Sequence, residues 1–238
     1  MKRNPSKTNF FTHLKVNKWK PDVVVDVGVH QFGTPDLINA FPNAHHILIE
    51  PVKEFAGPIK RMYSSLEHTL YPIALGDHDG EMMLETKAID GGSEVTHSSI
   101  LSHQRQIADE RTYAVTIKTL DWIVNQHEAI RQSNALLKLD VDGIELEILR
   151  GAKDSLYFFD IIVIEMPIRF FRDRLLYLLG KDFYLLDIMD PTYYHGFLSQ
   201  VDMVFASPKT MEANPAFKPW DHHKFDWKDY FHWSPEGY

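Results

Sequence analysis

Leu137-Lys138-Leu139-Asp140-Val141-Asp142-Gly143-Ile144-Glu145 is an apolar run that ends in three carboxylates spaced around one glycine. An apolar set at helical spacing follows at once: Leu146, Ile148, Leu149, Ala152 and Leu156. Buried strand, acidic turn and helix start make the layout of the active edge of an open α/β sheet, where ligands lie beyond the carboxyl ends of the strands. A second edge of this kind lies upstream, in Val23-Val24-Val25-Asp26-Val27-Gly28 closed by Gly33-Thr34-Pro35. Two such edges predict one nucleotide-like ligand and one reacting group.

Outward from these edges the pattern continues. The spacing predicts strands over 23–27, 47–50, 70–75, 113–118, 135–140, 161–165, 183–188 and 201–206. Helices are expected from Pro35, over 53–65, from Thr119, over 144–157 and over 168–180. Strands alternating with helices mean a doubly wound, mostly parallel α/β sheet, here in a single domain over 1–238. Thr34 reads as an N-cap with Pro35 at the first helical position, where its missing N–H costs nothing. Gly76-Asp77-His78-Asp79-Gly80 reads as a hairpin turn. Residues 1–20 read as a helical extension anchored by Phe10, Phe11, Leu14 and Val16. The alternation lapses over 87–111, a Ser- and His-containing excursion that reads as a lid. Residues 209–238 form an aromatic-rich tail whose rings are expected to pack on the body.

Composition narrows the function classes. A formal charge of −8 opposes a nucleic-acid backbone as the main partner, because phosphate binding needs a basic surface. The absence of cysteine removes disulfides and thiol catalysis. No apolar stretch approaches the roughly 20 residues of a spanning helix, and no signal-peptide core follows the basic Met1-Lys2-Arg3. The expectation is a cytoplasmic protein with no membrane and no nucleic-acid partner.

At the first edge, a glycine-bearing loop lets the backbone approach a ligand, and an acidic residue ending the second strand can accept both hydroxyls of a ribose. Asp26, Gly28, Gly33, Thr34 and Glu50, with Pro51 stopping the strand, sit at suitable separations. This pattern fits either a dinucleotide or S-adenosylmethionine. The spacing Gly28-x4-Gly33 lacks the middle glycine of the dinucleotide fingerprint.

An ordered set of motifs then carries a resemblance. It runs Val25-Asp26-Val27-Gly28, Ile49-Glu50-Pro51, Ala74-Leu75-Gly76-Asp77 with Gly80, Ser98-Ser99-Ile100, Val115 to Asp121, Lys138 to Glu145 with Leu149-Arg150-Gly151-Ala152, and Ile164-Glu165. The chain resembles the FkbM family of S-adenosylmethionine-dependent methyltransferases over about residues 20–207. The resemblance implies a Rossmann-like sheet of the class I methyltransferase type, about seven strands with the last antiparallel, and an added hairpin or lid. It implies S-adenosyl-L-methionine as cofactor and O-methylation of a sugar or other small polyhydroxylated acceptor. Two positions depart from the family pattern: His30, in Val29-His30-Gln31-Phe32, replaces an asparagine, and Asp142 stands where glutamate is usual.

On this reading the cofactor set is Asp26, Gly28, His30, Gly33, Thr34, Glu50, Pro51, Asp77 and Asp140. Asp140, Glu145 and His97 are the catalytic candidates, since a hydroxyl acceptor benefits from a base as its proton leaves. Lys138 is expected to pair with a carboxylate, and Asp142 to cap the following helix. A divalent cation on Asp140 with Asp142 or Glu165 would suit hard oxygen ligands, yet strand-end carboxylates also cluster without metals, so none is expected. The neighbours His45-His46 and His222-His223 would point to opposite sides of a strand and are not expected to share a metal. Two other readings stay open: an NAD(P)-dependent oxidoreductase, and a non-catalytic S-adenosylmethionine-binding module.

Overall fold

The computed structural model describes residues 4–87, 97–100, 112–141 and 143–218, with side chains omitted at 85–87 and 97–100. Eleven strands are present in this part. They are β1 (Val23–Val27), β2 (His45–Ile49), β3 (His68–Tyr71), β4 (Ala74–Gly76), β5 (Gly80–Lys87), β6 (His97–Ile100), β7 (Thr112–Thr119), β8 (Ala135–Leu139), β9 (Ile161–Pro167), β10 (Tyr184–Tyr194) and β11 (Phe197–Ala206). The helices are α1 (Lys7–Val16), α2 (Pro35–Ala40), α3 (Ala56–Met62), α4 (Leu120–Gln126), α5 (Ala129–Gln132), α6 (Glu145–Arg150), α7 (Phe171–Leu179) and α8 (Pro208–Ala213).

Short runs of aliphatic residues, buried on both faces, form the centre of a seven-stranded sheet ordered β10-β11-β9-β8-β1-β2-β3. Every pairing in it is parallel except those of β11, which runs antiparallel to both β9 and β10. This is the expected Rossmann-like sheet with its reversed last strand. One face packs Leu137, Ile148, Leu149 and Phe205 against Leu120 and Ile123 of α4. The other packs Leu136, Val163 and Val204 against Phe10, Phe11 and Leu14 of α1. Val16, expected as a fourth anchor of α1, is instead exposed.

Several expected boundaries shift for local reasons. The strand anticipated over 70–75 is broken at Pro72, which has no N–H to give a ladder. The chain there leaves the large sheet, and β4 joins a second sheet ordered β4-β7-β5-β6. The expected hairpin at Gly76–Gly80 does not form, because β4 and β5 flank β7 rather than each other. Asp79 fixes that arrangement by accepting from the Thr119 amide at 3.2 Å and pairing with Lys118 at 2.8 Å. The helix expected over 144–157 ends at Arg150. A Cβ on Gly151 would lie 2.1 Å from the Gly76 carbonyl oxygen, so the two backbones touch where the helix stops.

The largest departure is at the end of the chain. The strands expected over 183–188 and 201–206 are the inner parts of one long hairpin, β10–β11, turning through His195 (φ 49°) and Gly196 (φ 81°). Of the expected lid, the described pieces are the end of β5 and β6, which pairs with it. Of the tail, α8 and the turn to Phe217 are described, with Phe217 packed beside the α1 layer. Residues 219–238, with His222 and His223, lie outside the described part. His45 and His46 do point apart, one to Thr69 and one to the Phe41 carbonyl.

Candidate active site

The carboxyl ends of β1, β2, β8 and β9 open onto a cleft of about 970 Å³. Its walls are apolar, from Ile49, Phe55, Ile73, Leu75 and Ile148, with Glu50, Asp140 and Glu165 among the polar groups at its rim and floor.

The first edge is built on a backbone contact. Gly28 (φ 81°) packs so closely on the β8 end that a Cβ there would lie 1.8 Å from the Asp140 carbonyl oxygen. Its N–H donates to the Ile49 carbonyl at 3.0 Å, and the Asp140 N–H donates to Val27 at 3.1 Å, so three strand ends are stitched together around it. Glu50 is 6% exposed. Its two oxygens accept one amide each, from His30 at 2.8 Å and from Val52 at 2.9 Å. Burial pushes the Glu50 carboxyl above its ordinary value, against the pull of those two amides.

His30 takes a left-handed backbone (φ 57°), and its ring lies 4.5 Å from that of Phe55 and 5.1 Å from that of Phe32. Of the expected cofactor residues, His30, Gly28, Glu50, Pro51 and Asp140 line the cleft. Four other expected cofactor residues do not. Gly33 (φ 59°) turns the chain into the core against Met62 and Tyr63, which buries Thr34 behind the loop. The Thr34 amide donates to the Tyr63 hydroxyl at 3.2 Å, and its own hydroxyl makes no cap bond. Asp77 sits in an exposed turn beside His78. Asp26 is fully buried beneath the cleft and holds Lys138 at 3.2 Å.

Lys138 explains the second edge. It is itself buried, and it reaches Asp140 on its other side, also at 3.2 Å. Burial alone pushes its ammonium down, but Asp26 and Asp140 outweigh that and hold it above its ordinary value. Asp140 therefore faces the cleft, 38% exposed at its side chain, with one compensating cation behind it.

Glu145 has a different place from the one expected. It is 0% exposed and ion-paired to the equally buried Arg174. Its other oxygen accepts from the amides of Val141 at 3.2 Å and Gly143 at 3.4 Å. Those bonds fix the acidic turn from inside, and Glu145 does not line the cleft. His97 stands in β6 opposite Lys87; its side chain and the whole of Asp142 lie outside the description. The helix cap expected of Asp142 falls with it, and Ile144 is the residue at the N-cap position.

Sequence reasoning missed part of the opposite wall. Glu165, at the end of β9, accepts from the Gln200 side chain at 2.7 Å, and Arg169 and Phe170 lie beside them. Glu165 was legible as the acid ending the strand beside that of Asp140. Gln200 was not, because the last strand was expected to begin one residue later. Among the described residues no three His, Asp or Glu side chains converge in a way that would hold a metal ion.

Comparison with known proteins sets this geometry in a family. The Methyltransferase FkbM domain matches residues 26–192, more than two thirds of the chain. No protein of curated function matches the sequence. Among solved structures, an rRNA methylase from Streptococcus thermophilus is similar at 15% identity and TM-score 0.48, over 87% of this chain and 99% of that one. A precorrin-6y C5,15-methyltransferase from Geobacter metallireducens is similar at 11% identity and TM-score 0.42, over 82% and 86%. A methyltransferase from Geobacter sulfurreducens is similar at 11% identity and TM-score 0.45, over 87% and 80%. These likenesses are too distant to speak for the acceptor. The family match disfavours the dinucleotide-dependent alternative: the chain belongs to the FkbM methyltransferase domain family and is a methyltransferase dependent on S-adenosylmethionine.

Proposed function

We propose that the protein transfers the methyl group to a hydroxyl oxygen of a small polyhydroxylated acceptor, such as a sugar or glycoside. The residues present fit the cofactor. Two of the roughly four acceptor sites of the Glu50 carboxylate are taken by loop amides, which leaves the rest for ribose hydroxyls. Gly28 leaves backbone, rather than a side chain, at the point where the loops meet. The carboxylates lining the cleft suit a ligand that carries positive charge on its sulfur and its amine.

S-adenosylmethionine supplies an electrophilic methyl carbon on a sulfonium. The protein's own work is alignment and proton handling. Glu50 and the His30 loop fix one end of the cleft, and Pro51 and Phe55 shape its apolar wall. Asp140 holds the acceptor hydroxyl and takes its proton, with Lys138 keeping a compensating charge behind the carboxylate. Glu165, held by Gln200, orients a neighbouring hydroxyl. The one observation that carries this reading is Asp140 itself, half-exposed in the cleft while Asp26 and Glu145 are buried away from it. The charge of −8 supports a small acceptor over a nucleic-acid backbone.

The test is a methyl-transfer assay with labelled S-adenosylmethionine, offering a panel of methyl glycosides and, separately, ribosomal and transfer RNA. Turnover on a glycoside is expected, falling about 100-fold in Asp140→Asn while S-adenosylhomocysteine affinity holds. Full activity in Asp140→Asn, or methylation of RNA alone, overturns the reading.

A further inference from the structure

β11, which lies outside the matched domain, lines the Glu165 side of the cleft through Leu198, Ser199 and Gln200, and α1, also outside it, is ion-paired to β11. Glu165 pairs in register with Asp202, and Asp140 follows Leu139, which pairs with Ile164. Three carboxylates thus stand level on three neighbouring strands. Such a row needs cations. Lys138 serves Asp140 from below, and Lys7, at the start of α1, serves Asp202 through an ion pair.

Lys7 also reaches Asp190 of the adjacent strand at 3.4 Å, and its amide donates to the same carboxylate at 3.3 Å. The Asp190 amide in turn donates to the Pro5 carbonyl at 2.8 Å. Asp190 is a special position. Its backbone is left-handed (φ 46°), it precedes Pro191, and the β10–β11 register slips between Met189 and Thr192. A bulge of this kind bends its strand and re-aims what lies beyond it. Beyond it here are Leu198, Ser199 and Gln200, which line the cleft, and Gln200 bonds Glu165. Burial alone pushes the Lys7 ammonium down, but Asp202 and then Asp190 outweigh that and hold it above its ordinary value.

We propose that Lys7 is a positioning residue for methyl transfer: by clamping Asp190 and Asp202 across the bulge, it sets the angle of the β10–β11 arm and so the place of Gln200 and Glu165 against the acceptor. This rests on the acceptor lying on the Asp140–Glu165 side of the cleft, as proposed above. Lys7 touches no ligand itself. Its effect runs through the arm, and the cofactor edge at Gly28 and Glu50 is untouched by it.

The experiment uses the full chain with Lys7→Met, Lys7→Arg and Gln200→Leu. Hydrogen exchange read by peptide should rise about tenfold over 189–200 in Lys7→Met and remain unchanged across β1, β2 and β8. S-adenosylhomocysteine affinity should stay at the wild-type value. The acceptor KM, measured on the methyl glycoside that turns over best, should rise about tenfold while the KM for S-adenosylmethionine does not move. Lys7→Arg should restore both the exchange pattern and the acceptor KM. Gln200→Leu should reproduce the acceptor KM without loosening the arm. Exchange that rises across the whole sheet, or an unchanged acceptor KM, overturns the proposal, because Lys7 would then serve stability alone. A wild type that methylates no glycoside overturns the acceptor reading and the positioning role with it, while exchange still reports whether the clamp holds the arm.

Discussion

Glu50 and Glu145 hold the two functional loops in the same way and end with opposite fates. Each is buried, and each accepts two backbone amides from the loop beside it. Glu145 is also paired with buried Arg174, which in turn donates to the Glu165 carbonyl at 3.2 Å, so its acceptor sites are spent inside the fold. Among the described residues no cation is in direct contact with Glu50, which opens onto the cleft. The difference teaches that a loop-bracing carboxylate is available to a ligand only where the protein leaves part of it unsatisfied. Equal burial and equal hydrogen bonding do not make equal function.

The comparison can be broken most sharply at Glu145. Glu145→Gln leaves Arg174 buried without its partner, and urea unfolding should show a loss of about 3–5 kcal/mol. A loss under about 1 kcal/mol would mean that the ion pair contributes little and that the two glutamates are more alike than proposed. Gly28→Ala comes next. Its Cβ meets backbone, which cannot swing aside, on a left-handed residue, and about 3 kcal/mol of stability should go in the same assay. Glu50→Gln inverts the first result. Stability should change by no more than about 1 kcal/mol while calorimetry shows S-adenosylhomocysteine binding weakened about 10- to 100-fold.

The smallest effect sharpens the contrast through pH. On the proposed reading the ionised Glu50 accepts hydrogen bonds from ribose hydroxyls, and protonation turns one oxygen into a donor. Because burial raises its pKa, S-adenosylhomocysteine affinity should begin to fall at a higher pH than for an ordinary glutamate, by at most about tenfold per pH unit. Glu50→Gln should flatten that acid limb. A limb that survives the substitution assigns the titration to another group.

The sheet was legible wherever burial on both faces wrote an unbroken aliphatic run, as in Val23–Val25 and Ile161–Ile164. That Glu50 and Asp140 would reach the cleft was legible because each directly follows a largely apolar strand. The chain hid what depends on partners far away in sequence. Asp26 and Asp140 look alike near strand ends, and only Lys138 between them shows that one is a buried counter-charge and the other faces the cleft. Thr34 does stand at the N-cap position of α2 with Pro35 after it, but a left-handed Gly33 precedes it, and its buried hydroxyl makes no cap bond. The second sheet was hidden because Pro72 divides what reads as one strand. Lys7 gave no signal at all, since its partners lie 183 and 195 residues away.

The place of β11 has a consequence for how the chain is made. It lies between β9 and β10, yet it is synthesised after both. While a ribosome is still short of Phe197, β9 presents an open edge and β10 has nothing to pair with. The cofactor edge, complete in its strands by Leu139, can take shape on the emerging chain, since folding runs from the N-terminus. The acceptor wall must wait for the last strand, and α1 must wait for Asp202. A chain stalled near His195 would carry a bare hydrophobic strand edge, the kind of surface that recruits other chains. Quality control during translation would meet this protein at that step.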